Sequence, residues 1–149
     1  MWDVALSFMA LLFTGLALAP AAAHLLELPA KLRLAGADYL VTQRLYRGWQ
    51  FVGLVVAAAL LATLALTLEF RTEPVAFAAA LIAFFSIAGT QAIFWWLTFP
   101  INRMTADWSV LPADWRQLRK TWELSHAASA VLNLIAFVAV VLAVLWWSN

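Results

Sequence analysis

The 149-residue chain has two histidines, and each stands one helical turn from a carboxylate. His24-Leu25-Leu26-Glu27 and Glu123-Leu124-Ser125-His126 both set His and Glu at i, i+3, on one face of a helix. Such a pair suits general-base chemistry, because the carboxylate orients the imidazole and raises its basicity. The same groups, His24, Glu27, Glu123 and His126, could ligate a single metal ion if one coordination position stayed open. They fall short of a di-iron centre, which draws on about four carboxylates and two histidines. Two histidines on facing helices could also be the axial ligands of a haem. The cofactor alternatives are therefore none, a single metal ion, or haem. The chain has no cysteine, which removes thiolate metal sites and thiol–disulfide chemistry.

Other polar residues recur at helical spacing. Gln43, Tyr46, Gln50, Gly53 and Ala57 form one stripe, and Gln91, Trp95, Thr98 and Asn102 form another. The face of His126 continues through Ala130 to Asn133. If these faces converge, Tyr46, Gln50, Gln91, Asn102 and Asn133 line a substrate pocket around the two His–Glu pairs.

The elements that must position this pocket are membrane spans. Hydrophobic residues make up 66% of the chain and charged residues 11%, with a mean hydropathy of +0.89. A soluble domain carries about 25% charged residues, so lipid must be the solvent here. Runs of about 4–28, 49–68, 75–99 and 124–147 are each long enough to cross a hydrocarbon core of ~30 Å. They do not alternate as barrel strands do. The first run lacks a basic leading segment and reads as a retained span rather than a signal peptide. Pro20 is expected to kink that span and Pro29 to stop it. Residues 37–48 carry a helical pattern leading into the second span. Residues 100–120, with Trp108, Leu111, Trp115 and Leu118, read either as interfacial segments or as helix extensions with snorkelling basic side chains. Pro112-Ala113-Asp114 reads as a helix start running into the fourth span.

Trp2, Trp146 and Trp147 mark one interface, and Trp49, Trp95 and Trp96 the other. Counted inward from Trp2 and Trp146, the two histidines reach similar depths. Lys31, Arg33, Arg44 and Arg47 lie in the first connection and Arg103, Arg116, Arg119 and Lys120 in the third, against Arg71 alone on the other side. This bias orients both long connections to the cytoplasm. The expected fold class is all-α: an integral membrane four-helix bundle, up-down-up-down, one domain over 1–149, with both termini outside. The expected location is a bacterial inner membrane. The expected partners are the lipid bilayer and a small apolar ligand, with homo-oligomerisation open and no nucleic acid.

The segments Phe99-Pro100-Ile101-Asn102-Arg103, Pro112-Ala113-Asp114-Trp115, Leu118-Arg119-Lys120-Thr121-Trp122-Glu123-Leu124-Ser125-His126 and Tyr46-Arg47-Gly48-Trp49 carry a pattern. It resembles the small four-span bacterial membrane proteins grouped with the anthrone oxygenases. The resemblance implies functional roles for Asn102, Arg119, Trp122 and His126. It implies an oxygenase acting on polycyclic phenolic anthrones, with no firmly assigned cofactor. His24-x-x-Glu27 lies outside that pattern. On this reading His126 or His24 removes a proton, Glu123 or Glu27 orients it, and Gln91, Asn102 and Gln50 hold carbonyl oxygens of the resulting enolate. Two other readings stand beside it: a haem- or metal-binding redox protein using His24 and His126, and a non-catalytic structural or accessory subunit.

Overall fold

Among the residues described, all regular structure is helical, and four helices are long and apolar enough to cross a membrane. The structure, a computed structural model, describes residues 2–46 and 48–148; Arg47 and the side chain of Gln50 lie outside that description. The helices are α1 (Trp2–Lys31), α2 (Gly36–Gln43), α3 (Gln50–Glu69), α4 (Pro74–Ile93), α5 (Phe99–Met104) and α6 (Trp115–Trp147). Four-span layout and all-α class are as expected.

The spans pack in a ring. Helix α1 lies against α3 and α6, and α4 closes the ring against α3 and α6. The half near the termini is dry and small. Ala10, Ala59, Ala62, Ala76, Ala80, Ala83, Ala136, Ala139 and Ala143 fill it, with Leu66, Phe70, Ile87 and Val140. Large side chains such as Phe8, Phe51, Leu54, Phe85 and Leu142 face outward. This inversion is expected in lipid, where association is driven by close packing rather than by expulsion of water. Thr14, Thr63 and Thr67 return their hydroxyls to carbonyls of their own helices, so buried oxygens there are satisfied.

The turn at the terminal end is tight. Glu73 caps α4 by accepting the Ala76 N–H at 2.6 Å, and Pro74 takes the first helical position, where no amide hydrogen is needed.

At the opposite end several expectations need correction. Pro29 does not stop the first span; α1 runs on to Lys31. Residues 37–48 do not run unbroken into the second span. Helix α2 ends at Gln43, residues 44–46 form a single 3-10 turn, and Gly48 turns the chain with φ +93°. The stripe from Gln43 to Ala57 is therefore not one helix face. The third span extends past 99, because a π turn at Phe94–Thr98 carries it into α5. Pro100 explains the widening: it donates no hydrogen bond and its ring clashes with the preceding turn of a regular helix. The fourth helix does start after Pro112-Ala113-Asp114, at Trp115.

Several apolar residues of 100–120 face inward, while Met104 and Val110 stay exposed. Trp108, Leu118 and Leu111 join Tyr39, Ile101 and Trp122 in a second core beneath the spans. Gly36 packs closely there: a Cβ would meet Leu111 Cδ1 at 2.6 Å and the Trp115 ring at 3.2 Å, so a larger residue would make these side chains shift. The loop between α5 and α6 holds Ala106, Asp107 and Trp108 at φ 46°, 52° and 57°. Each left-handed residue costs ~1–2 kcal/mol. Bonds from Asp107 N–H to Asn102 O (2.7 Å), Trp108 N–H to Thr105 Oγ1 (3.1 Å) and Ser109 N–H to Thr105 O (3.0 Å) hold them in place.

Candidate functional site

The two His–Glu pairs converge, and the group that joins them is Lys31. On α1, His24, Glu27 and Lys31 follow i, i+3, i+7 and share one face. The Lys31 side chain bends back along it. Its ammonium lies 3.0 Å from His24 Nδ1, 2.8 Å from Glu27 Oε2 and 3.8 Å from Glu123 Oε2. Lys31 is only 4% exposed. A charge buried this far needs opposite charge beside it, which the two carboxylates provide.

The ammonium can only donate, so His24 Nδ1 accepts and the ring proton sits on Nε2. The two imidazoles stack, with centroids 4.4 Å apart and planes 15° from parallel. His126 lies against Trp122 (4.1 Å), and its Nε2 is buried with no hydrogen-bond partner. The two histidines are thus inequivalent. One has its ring orientation fixed by a cation, and the other keeps a free nitrogen.

Two phenols close the cluster. Tyr39 donates to Glu123 Oε1 at 2.9 Å, and Tyr46 donates to Glu27 Oε2 at 2.6 Å. The Tyr46 ring covers the Lys31 ammonium at 4.5 Å and meets the His24 ring at 4.6 Å. Burial, then the neighbouring Glu123 carboxylate, pushes the Tyr39 hydroxyl well above the usual phenol range. Burial and the bond to Glu27 do the same for Tyr46. Both are neutral donors at physiological pH. Trp49 meets His24 edge-on at 5.4 Å and is half-buried, so it serves this cluster rather than an aromatic belt.

Arg119 anchors the cluster from below. Its guanidinium donates to the carbonyls of Lys31 (3.2 Å), Leu32 (2.9 Å) and Leu34 (2.7 Å). The last carbonyls of a helix lack intrahelical donors, and a cation there also suits the helix dipole. Arg119 therefore ties the end of α1, and Lys31 with it, to α6. Across the bundle, Trp122 Nε1 donates to Asn102 Oδ1 at 2.7 Å, and Thr98 and Ser125 bond at 2.8 Å.

Several expected pocket residues do not meet the cluster. Asn102 Oδ1 is taken by Trp122, and Arg119 gives its two terminal guanidinium nitrogens to the end of α1 while its Nε is buried without a partner. Gln91 joins none of these bonds. Asn133 donates to Ser129 O on its own helix, leaving Oδ1 buried without a partner. Gln50 lies outside the described side chains. Lys31 and Tyr39 were not among the expected site residues.

The expected cofactor geometries do not fit. Among the described residues no three His, Asp or Glu side chains gather as metal ligands, and the Lys31 ammonium fills the point between the carboxylates. Axial histidines approach a haem iron from opposite faces. His24 and His126 are stacked on each other, with no gap for a macrocycle.

Comparison with protein-family models, with curated proteins and with solved structures gives no match. The site must therefore be read from its own geometry.

Proposed function

We propose that this chain is an oxygenase-like oxidoreductase of a bacterial inner membrane, of the anthrone oxygenase type, with its site at the cytoplasmic end of the bundle. The observation that carries the reading is the unpartnered Nε2 of His126, stacked on a histidine whose other nitrogen is held by a buried ammonium. A buried polar atom without a partner needs an explanation, and a proton-accepting role supplies one.

The ligand is an apolar phenolic anthrone arriving from the bilayer. His126 Nε2 removes a benzylic proton. The Lys31 ammonium and the His24 Nε2–H stabilise the enolate oxygen. The carbanion takes up dioxygen and, once reprotonated, becomes a hydroperoxide. Loss of the second benzylic proton with O–O cleavage leaves a ketone and water. All four electrons come from the methylene carbon, so no external reductant enters. Glu27 and Tyr46 border the surface, and their hydrogen bond is the contact a ligand must open.

Dioxygen uptake with 1,8-dihydroxyanthrone as probe tests this. Wild-type protein in detergent is expected to accelerate uptake, and His126→Ala to lose ~10²–10⁴-fold of that rate. Equal rates for wild type and His126→Ala would remove the proposal.

A non-catalytic structural role has one observation in its favour. The rings of Tyr46, Trp49 and Trp122 surround His24 within 5.5 Å, which makes the cluster a packed joint between α1 and α6. It predicts uptake no faster than in empty micelles.

A further inference from the structure

A second polar site lies beside the first and is not used by it. A cavity of about 100 Å³ opens between α2 and the loop joining α5 to α6, lined by Leu40, Gln43, Arg44, Asp107, Trp108 and Ser109. Two of its lining side chains carry N–H groups that are buried without partners: Gln43 Nε2 and Trp108 Nε1. Gln43 is 7% exposed and Trp108 4%. Buried donors of this kind are nearly always satisfied, so two on one cavity point to an acceptor that binds there. Asp107 and Trp108 line the cavity from the left-handed run 106–108.

The charges define the ligand. Arg44 supplies a planar cation suited to phosphate oxygens, and the two N–H donors add to it. Asp107 supplies a carboxylate on the same cavity. No ion pair joins Arg44 to Asp107 among the described residues, so each is available to an outside group. A simple anion would meet repulsion from Asp107, and a simple cation repulsion from Arg44. A zwitterion with phosphate and ammonium a few bonds apart satisfies both. Position narrows the source. Every lining residue lies between spans, with Arg44 shortly before the apolar stretch that begins at Phe51 and Asp107 shortly after the one that ends at Met104. That is the level of lipid headgroups.

We propose that this cavity binds the phosphoethanolamine headgroup of a membrane lipid, with Arg44, Gln43 and Trp108 on the phosphate and Asp107 on the ammonium. The tail runs up the outside of the bundle. The trimethylammonium of a choline lipid has no N–H to offer Asp107 and is bulkier, so the site discriminates against it. The inner wall is shared with the first site, since the Trp108 ring packs edge-on against Tyr39 (4.9 Å) and Trp122 (6.0 Å).

Native mass spectrometry of the full chain in detergent tests the assignment, titrated with short-chain phosphatidylethanolamine, the matching phosphatidylcholine and soluble phosphoethanolamine. The ethanolamine lipid is expected to bind at least ~10-fold more tightly than the choline lipid. Asp107→Asn is expected to erase that preference. Arg44→Gln is expected to weaken both lipids. Trp108→Phe, which keeps the ring and removes only the donor, is expected to weaken the ethanolamine lipid several-fold. Far-UV circular dichroism of each variant checks that it is folded. Equal affinity for the two lipids in wild type, or an unchanged preference in folded Asp107→Asn, would overturn the proposal. Soluble phosphoethanolamine binding as tightly as the lipid would overturn the lipid source.

Discussion

Replacing Lys31 with Met isolates the ion pairing at the end of the bundle away from the termini. The substitution keeps most of the side-chain volume and removes the ammonium. Its bridge to Glu27 counts for little, because that carboxylate is 48% exposed and exposed pairs contribute below ~1 kcal/mol. Glu123 decides the magnitude. It is 1% exposed and would keep only the Tyr39 hydroxyl as a close partner. Removing one partner of a buried ion pair costs ~3–5 kcal/mol. Lys31→Met is therefore expected to lower the unfolding free energy by about 3 kcal/mol or more, measured by SDS titration in mixed micelles with tryptophan fluorescence. Exposed Lys120→Met serves as control and is expected to change it by less than ~0.5 kcal/mol. Adding Glu123→Gln to Lys31→Met removes the stranded charge yet still offers an acceptor to Tyr39. It is expected to recover ~1–3 kcal/mol. A Lys31→Met loss no larger than the control, or no recovery in the double variant, would show that Lys31 does not offset the buried charge of Glu123.

Arg119→Leu removes the guanidinium donors to the carbonyls of Lys31, Leu32 and Leu34, of which Lys31 O keeps the Leu34 N–H at 3.3 Å, and is expected to cost at least ~2 kcal/mol in the same titration; Arg119→Lys is expected to recover only part, because an ammonium cannot span all three. Ala106→Gly relieves a left-handed residue and is expected to stabilise by up to ~1 kcal/mol. Loss of stability there would contradict the loop geometry. Tyr39 and Tyr46 are the chain's two tyrosines. Both have raised folded-state values, so neither is expected to show phenolate absorbance at about pH 11, where free tyrosine with its value of ~10 is largely ionised. Folding favours the protonated phenol, so this contribution to stability is complete below pH ~10 and lost as pH rises through the folded values. A phenolate band near half-height at pH ~10 in folded protein would argue against burial of these hydroxyls.

The spans were legible because lipid imposes long apolar helices that composition alone betrays. The similar depth of His24 and His126 was legible from the count to Trp2 and Trp146; that their rings stack was not. Lys31 was not, for a specific reason. Treating Pro29 as a helix stop puts Lys31 in a loop with the other basic residues, as an orientation signal. Carrying α1 two residues further places Lys31 on the face of His24 and Glu27. Arg119 stood in the charge count of the third connection and, through the resemblance, among the functional residues; that it is 7% exposed and bonded to the end of α1 follows from no local spacing. Tyr39 reaches Glu123 across 84 residues of chain, a contact that no local spacing encodes. Gln91 and Asn133 show the opposite failure. Helical periodicity put them on polar stripes, but Asn133 is buried and turns back to Ser129 O on its own helix, and Gln91 enters none of the cluster's bonds.

Nitrogen NMR of protein labelled only at histidine is the most direct test of the site, because the chain has two histidines and each has a distinct assignment here. His24 is expected to show an unprotonated Nδ1 and a protonated Nε2, and to change tautomer in Lys31→Met. Addition of 1,8-dihydroxyanthrone under nitrogen is expected to shift the His126 Nε2 resonance and leave His24 Nδ1 nearly unmoved. A protonated Nδ1 on His24 in wild type, or a His126 resonance indifferent to the probe, would contradict the account.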